Sequence, residues 1–306
     1  MGAAACGARR WWRRRPLSHS FERFVAIDWS GARGRWQPGI ALAECDLDDR
    51  APMLIDPPDR AWSRGAALDW LVELAEGGSR TLVGLDLSPA FACADAGSYF
   101  PGWSESPDGM ADLWALVDRL CAADPDLAAD GFVDHREAAR HFRRVGSLGD
   151  RFVGGRGRWR VCEYRQSAAG LSPSSCFNLV GAAQVGKSSL TGMRVLHRLG
   201  GRIPLWPLDP VPATGPVLVE IYTTIAAREA KVRPGRSKIR DADTLDAALA
   251  QLGTRPHRPL ARYDDHATDA ILTAAWMRAA AGRPALWSPD GLEAVARTEG
   301  WTFGVP

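Results

Sequence analysis

The 306-residue chain lacks the features that define several protein classes. Its six cysteines include no C-x-x-C pair and no cluster with histidine, which argues against a structural zinc site and favours a reducing, cytoplasmic environment. No apolar run approaches the roughly 20 residues that a membrane-spanning helix needs. No internal repeat is present. We therefore expect a cytoplasmic globular protein that does not associate with membranes.

Lysine is also scarce, since Lys187, Lys231 and Lys238 are the only lysines beside a large excess of arginine. The net charge of +2 shows that the chain as a whole is not a polycation. Basic residues are instead concentrated locally, first in MGAAACGARRWWRRRPLSHS, which contains no acid and little that builds a core. We expect residues 1–20 to be a disordered basic extension and residues 21–306 to form a single domain.

Strand and helix signals alternate along that domain. RFVAIDWSG, GRWQPGIALAECD and APMLIDP predict three short strands in a meander, followed by a helix in RGAALDWLVELAEG and an apolar strand in RTLVGLDLSPAF. The strand GPVLVEIYTT and two helices come near the C-terminus. This order predicts an RNase H-like α/β fold, in which a three-strand meander continues into parallel strands and helices cover both faces of the mixed sheet.

Residues 97–170 interrupt this pattern and are predicted to form a helical insertion. HREAARHFRRVG is predicted to be helical. GDRFVGGRGRWRVCEYRQ is predicted to be a glycine-rich loop that leads into a strand.

Three of the predicted strands end in an acid, because Asp28, Asp86 and Glu220 each follow an apolar run. The carboxyl ends of neighbouring parallel strands meet at the ligand-binding edge of a sheet, so we expect these side chains to lie close together. Three clustered carboxylates repel one another unless a cation neutralises them. A divalent metal ion with oxygen ligands fits that requirement.

A fourth contribution comes from the predicted helix that begins in YDDHATDAI. Asp265, His266 and Asp269 are spaced so that they share one face of its first turns. A simpler interpretation exists for each acid alone, because acids suit helix N-termini and often begin turns after strands. The joint pattern of acids at the ends of four core elements favours a common site.

The segment GAAQVGKS matches the phosphate-binding loop pattern G-x-x-x-x-G-K-[ST] through Gly181, Gly186, Lys187 and Ser188. It follows the strand-like run 176–180 and opens a segment with helical spacing. The position is unusual, since at least five elements precede it. Three interpretations follow: a nucleotide-binding loop, a turn whose N–H groups and Lys187 bind a nucleic-acid phosphate, and a purely structural turn.

Together these motifs resemble an uncharacterised family of predicted RNase H-like nucleases, the domain of unknown function 429. The resemblance spans residues 24–278. It depends on five motifs: AIDWSG, GLDLSPAF, the segment that contains VGAAQVG, TG and VLHRL, the strand VEIY, and the helix start YDDHATDAI. HATDA also resembles the H/D-x-x-D pair on the final helix of Holliday-junction resolvases. The resemblance implies metal ligands at Asp28, Asp86 and Asp269, together with His266 or Asp265.

Two further implications of the resemblance concern Glu220 and the glycine-rich turn. Glu220 is typical of this family, although it lies on a strand where the resolvases carry no catalytic acid. Similar proteins have a GxxxVG turn at this point, usually without the lysine, which favours the structural interpretation of residues 181–188.

The function predicted from these observations is hydrolysis of nucleic-acid phosphodiester bonds, with Mg²⁺ or Mn²⁺ as cofactor. Two ions about 3.5–4 Å apart would be held by Asp28, Asp86 and Asp269, with or without Glu220, while His266 ligates a metal or shuttles a proton. Arginines in RRVGSLGDRFVGGRGRWR and KVRPGRSKIR are candidate phosphate contacts, and Trp159 is a candidate for base stacking.

Two other classes of function stay open. The chain is alternatively an ATPase or a kinase-like protein that uses the GAAQVGKS loop, or DWSGARG after the first strand, to bind phosphate. A third possibility is a non-catalytic binding module that keeps the fold. DNA, RNA and small nucleotides all remain candidate substrates, and the sequence leaves the oligomeric state open.

Overall fold

The structure is a computed structural model that describes residues 20–181, 185–232 and 238–306. Residues 1–19 of the predicted basic extension therefore lie outside the described residues. The strands in chain order are β1 (Arg23–Asp28), β2 (Ala41–Asp46), β3 (Met53–Ile55), β4 (Thr81–Leu85), β5 (Arg143–Arg144), β6 (Ser147–Leu148), β7 (Leu205–Trp206) and β8 (Val217–Glu220).

Six of these strands form one mixed sheet in the order β3-β2-β1-β4-β8-β7, and β5 and β6 form a separate hairpin. β1, β2 and β3 pair antiparallel, as expected for a meander. β4 pairs parallel to β1, β8 parallel to β4, and β7 parallel to β8. The prediction of an α/β protein with a mixed sheet is therefore confirmed.

Helices cover both faces of this sheet. They are α1 (Arg64–Gly77), α2 (Met110–Leu120), α3 (Asp130–Asp134), α4 (Val161–Ala168), α5 (Val185–Leu199), α6 (Thr223–Glu229), α7 (Ala242–Gln251), α8 (Asp265–Ala280) and α9 (Leu292–Val295), with 3₁₀ turns at Pro125–Leu127, Ala138–His141 and Pro284–Trp287. None of the helices in the described ranges is both long and apolar enough to cross a membrane.

The two faces of β1 show why its sequence is continuously apolar. Val25 and Ile27 belong to the core shared with α1, α2 and α5, whereas Phe24 and Ala26 belong to the core shared with α6, α7 and α8. A strand covered on both faces buries every side chain, so it lacks the alternation of a half-exposed strand. α8 packs directly across β1 and β2, which brings its first turn to the carboxyl end of β1.

The insertion at 97–170 contains α2, α3 and α4, but two local predictions within it are wrong. HREAARHFRRVG is not one helix, because only a 3₁₀ turn forms there before the chain enters β5, whose backbone pairs with Phe177. The segment from Val161 is helix α4 and not a strand. Glu163 explains its start, since its carboxylate accepts a hydrogen bond of 2.9 Å from the backbone N–H of Arg160.

Candidate active site

The carboxyl ends of β1, β4 and β8 meet at one edge of the sheet. Asp28 is the last residue of β1, Asp86 directly follows β4, and Glu220 is the last residue of β8. The parallel register pairs Ile27 with Leu85 and Leu85 with Glu220, so the three strands end at the same level. This is the juxtaposition that the strand-ending acids predict.

The first turn of α8 reaches the same edge and places His266 against Asp28. Asp264 caps this helix by accepting a hydrogen bond of 3.0 Å from the N–H of Ala267. His266 Nδ1 then lies 3.0 Å from Asp28 Oδ2. Burial raises the pKa of Asp28, and the hydrogen bond to Asp28 raises the pKa of His266. A Cβ atom added at Gly39 would lie 3.2 Å from the imidazole, so this glycine makes room for the ring.

Asp86 and Asp269 complete the cluster and are electrically the least compensated members. Burial, followed by the charges of Asp28, Asp269 and Glu220, holds the pKa of Asp86 well above its usual range. Burial and the charge of Asp28 raise the pKa of Asp269 to about 7. Within the described part of the chain, neither carboxylate forms an ion pair, although Asp86 accepts a hydrogen bond from the backbone of Thr223. The site therefore favours a proton or another cation at these two groups.

Glu220 has a different environment because a buried arginine neutralises it. The Arg160 guanidinium donates to Glu220 Oε2 at 2.8 Å and to Oε1 at 2.5 Å, and its Nε donates to Glu163 at 2.9 Å. Thr302 donates a further hydrogen bond of 2.9 Å to Glu220. The side chain of Arg160 is only 1% exposed. Glu220 therefore contributes to the internal ion-pair network, and its charge acts on Asp86 from there.

Asp265, the alternative metal ligand, forms ion pairs with two basic side chains. Arg240 lies 2.5 Å from Asp265 Oδ1, and Lys238 forms a second ion pair with the other carboxylate oxygen. Both cations also lower the pKa of Asp269, against the larger effects of burial and Asp28. Asp265 thus anchors the C-terminal end of the basic connector, 238–240, beside the carboxylate cluster. Residues 233–237 of that connector lie outside the described residues.

The donors are of the kind that Mg²⁺ and Mn²⁺ prefer, but they do not form a complete cage. Among the described residues, no group of three or more His, Cys, Asp or Glu side chains is arranged to hold a metal ion. Mg²⁺ commonly binds through one or two carboxylates and completes its coordination with water and substrate phosphates. The oxygen donors of Asp86 and Asp269 fit that type of site.

Most arginines of the glycine-rich segment are engaged in internal contacts. Arg158 pairs with Asp95, and Arg144 pairs with Asp134. Arg143 and Arg156 are exposed and form no ion pair with any residue that the structure describes. These two remain available to an anionic partner. Trp159 packs edge-on against Tyr164 with a ring separation of 5.4 Å, so its ring is partly used in a local contact.

Gly186 and Ser188 of the phosphate-loop pattern have packing roles, whereas Gly181 is exposed, with a positive φ of 89°. α5 begins at Val185, but residues 176–180 form only an isolated bridge and not the strand that normally precedes such a loop. A Cβ atom at Gly186 would lie 2.0 Å from the carbonyl oxygen of Cys176. A Cβ atom at Gly31 would lie 2.4 Å from the N atom of Ser188, whose hydroxyl bonds back to Val185. Residues 182–184 lie outside the described residues.

Lys187 gives a direct test of the nucleotide-binding interpretation. It lines a small cavity with Arg33 and Arg64, and Asp86 is not part of that lining. We expect Lys187→Ala to change the free energy of unfolding by less than about 0.5 kcal/mol, because such substitutions outside a packed core have small effects. Differential scanning calorimetry of both proteins, with and without 1 mM ATP and Mg²⁺, measures the change in stability and any ATP-dependent shift in Tm. An ATP-dependent rise in Tm that Lys187→Ala removes would contradict the structural interpretation.

Comparison with known proteins finds no matching family model, no matching curated protein and no matching solved structure. The function is therefore inferred from the residues of this chain and their geometry.

Proposed function

We propose that this protein is a divalent-metal-dependent phosphodiesterase that acts on nucleic acid. The observation that carries the proposal is the charge of the sheet edge. Asp86 and Asp269 are held beside Asp28 with raised pKa values, and neither has an ion-pair partner among the described residues. A buried cluster of this kind is unfavourable unless it binds a cation, and perturbed carboxylates in such a position are typical of functional sites.

The strand order also supports the proposal. RNase H-like proteins have a three-strand antiparallel meander whose first strand is continued by parallel strands, and the order β3-β2-β1-β4-β8 has this form. In this interpretation Asp28 and Asp86 occupy the ends of the two central strands, and α8 supplies Asp269. The resemblance to predicted RNase H-like nucleases points to the same three residues.

Asp86 and Asp269 would hold the metal, and Asp28 would assist through the oxygen that does not face His266. A Mg²⁺ or Mn²⁺ ion held there would supply a coordinated water of lowered pKa and a positive charge to offset the charge that develops on the phosphate. Asp28 at the same time orients the imidazole, because its Oδ2 accepts the hydrogen bond at Nδ1. The other ring nitrogen, Nε2, is then free to face the substrate.

His266 acts as a proton donor in this arrangement. The hydrogen bond to Asp28 raises the pKa of His266 and so favours its protonated form, from which Nε2 can donate a proton to the departing 3′-oxygen. Lys238 and Arg240 lie beside the same turn of α8, where Asp265 fixes their position. These two cations would contact substrate phosphates next to the cleaved one and so place the chain across the acidic edge.

Cleavage assays test the proposal with labelled single-stranded, duplex, hybrid and branched nucleic acids in Mg²⁺ and in Mn²⁺. We expect Asp86→Asn to reduce kcat by at least about 100-fold, since it removes a metal-holding charge at little change in volume. The matched control is Asp112→Asn, an exposed acid in the first turn of α2 that should leave the rate unchanged. Equal rates for wild type and Asp86→Asn, or no cleavage by wild type on any substrate, would overturn the proposal.

A further inference from the structure

A cleft of about 220 Å³ opens directly beside Asp86. Asp86, Ser88, Gln166, Ser174 and Tyr222 are among its lining residues, and the Arg160–Glu220 pair forms another part of the wall. At about 30 Å³ per molecule in liquid water, the cleft has room for roughly seven waters. That volume is sufficient for a planar heterocycle of one or two rings.

The charges around the cleft indicate which part of a nucleotide enters it. The described residues of its lining include three carboxyl groups, Asp86, Glu163 and Glu220, and one guanidinium, Arg160. The N-terminal turn of α5 also borders the cleft, but a helix N-terminus contributes only about half a positive charge. Even when Asp86 carries a proton, Glu163 and Glu220 outnumber Arg160, so this part of the wall has a negative net charge. A phosphate is repelled from such a space, whereas a neutral group with hydrogen-bonding edges is not.

The uncharged residues that line the cleft are suited to binding a neutral polar ring. Tyr222 supplies an aromatic side chain, held by a hydrogen bond of 3.2 Å from its hydroxyl to the carbonyl of Ser172. The hydroxyls of Ser172 and Ser174 form no hydrogen bond with another described residue, which leaves them free for a ligand. An aromatic surface together with hydrogen-bonding groups is how proteins hold an unpaired base.

We propose that this cleft receives the nucleobase next to the cleaved phosphate, and therefore that the substrate nucleotide is unpaired at that position. The inference rests on the proposed function, because it places the scissile phosphate at Asp86 and the adjoining base in the cleft. A base inside the cleft cannot remain stacked and paired in a duplex. The preferred substrates are then single-stranded, or duplexes in which one nucleotide is readily turned out.

The binding test is independent of cleavage and uses the four common nucleosides, each at a few millimolar, with inorganic phosphate as the alternative ligand. Saturation-transfer difference NMR should detect at least one nucleoside on wild type. Ser174→Trp, which fills the cleft, should remove that signal, and Ser104→Trp, at an exposed position outside the lining, should keep it. Absence of a signal for all four nucleosides, or a signal that Ser174→Trp leaves unchanged, overturns the proposal, as does loss of the nucleoside signal when an equal concentration of inorganic phosphate is added.

The cleavage test uses a single-stranded oligonucleotide with one abasic residue beside the preferred cleavage position. We expect kcat/KM to fall about 10-fold relative to the intact strand, which corresponds to about 1.4 kcal/mol, within the range for one stacked base. Equal cleavage of the intact and abasic strands overturns the cleft proposal alone. Failure of wild type to cleave either strand overturns the proposed function, while the nucleoside experiment still decides whether the cleft binds bases.

Discussion

Replacing Arg160 with methionine should lower the free energy of unfolding by about 3–5 kcal/mol. Methionine approximates the size of arginine, so the effect comes from charge and not from a large void. Arg160 is 1% exposed and bonds both Glu163 and Glu220, which are themselves buried. Its removal leaves two carboxylates in a low-dielectric interior without their partner. Urea denaturation monitored by circular dichroism measures the loss.

Two comparisons separate this effect from a general sensitivity of α4. Arg165→Met changes an exposed arginine of the same helix and should alter stability by less than about 0.5 kcal/mol. Adding Glu163→Gln and Glu220→Gln to Arg160→Met should recover part of the loss, because the uncompensated charges are then removed. A loss below about 1 kcal/mol for Arg160→Met would show that the ion-pair network contributes little.

The pattern of apolar and polar residues in the sequence was sufficient to predict the α/β class, the mixed sheet and the position of three strand-ending acids. Those features follow from local rules: apolar runs form buried strands, and the carboxyl ends of parallel strands share an edge. Asp28 and Asp86 are at that edge because β1 and β4 are neighbours in parallel register. Asp269 joins them because α8 packs across β1 and β2.

The environments of Glu220 and Asp265 were not predictable in the same way. Arg160 lies 60 residues before Glu220 in an arginine-rich segment, and nothing in its local sequence pattern distinguishes it from the exposed Arg143 and Arg156. Only tertiary packing makes it the partner of Glu220. Likewise, Asp265 and Asp269 share a helix face, yet Lys238 and Arg240 pair with the first and not with the second. Asp265, which is ion-paired, and Asp269, which has no ion-pair partner among the described residues, are therefore only one helical turn apart.

The glycine-rich loop shows how a motif can match without its usual context. The pattern requires a preceding strand and glycines that let the backbone approach phosphate. Residues 176–180 form no strand here, and the absence of a side chain at Gly186 is explained by the carbonyl of Cys176. A signal for this was present in the sequence, because the loop follows at least five elements and not the first strand.

Asp269→Asn should make the metal-free protein more stable at pH 8, by about 4 kcal/mol, while it abolishes metal-dependent cleavage. The pKa of Asp269 is about 7 in the folded protein against an ordinary value of 3.8, and each unit of difference corresponds to about 1.4 kcal/mol. Between these two pKa values the folded state binds more protons than the unfolded state. Stability of the wild type therefore falls as pH rises from about 4 to about 7 and is level above that range.

Asp269→Asn should lose the part of the pH dependence of stability that comes from Asp269. The variant and the wild type should therefore have equal stability near pH 4 and diverge above it. Urea denaturation in EDTA at intervals from pH 4 to pH 8 measures the difference, with Asp112→Asn as a control that should follow the wild type. Adding Mg²⁺ at pH 8 should stabilise the wild type more than Asp269→Asn, because bound cation offsets the repulsion that the variant lacks. A variant that is less stable than the wild type at pH 8 would mean that Asp269 has a structural partner. The opposite result identifies a carboxylate that is kept at the expense of stability, as expected for a group that serves the reaction.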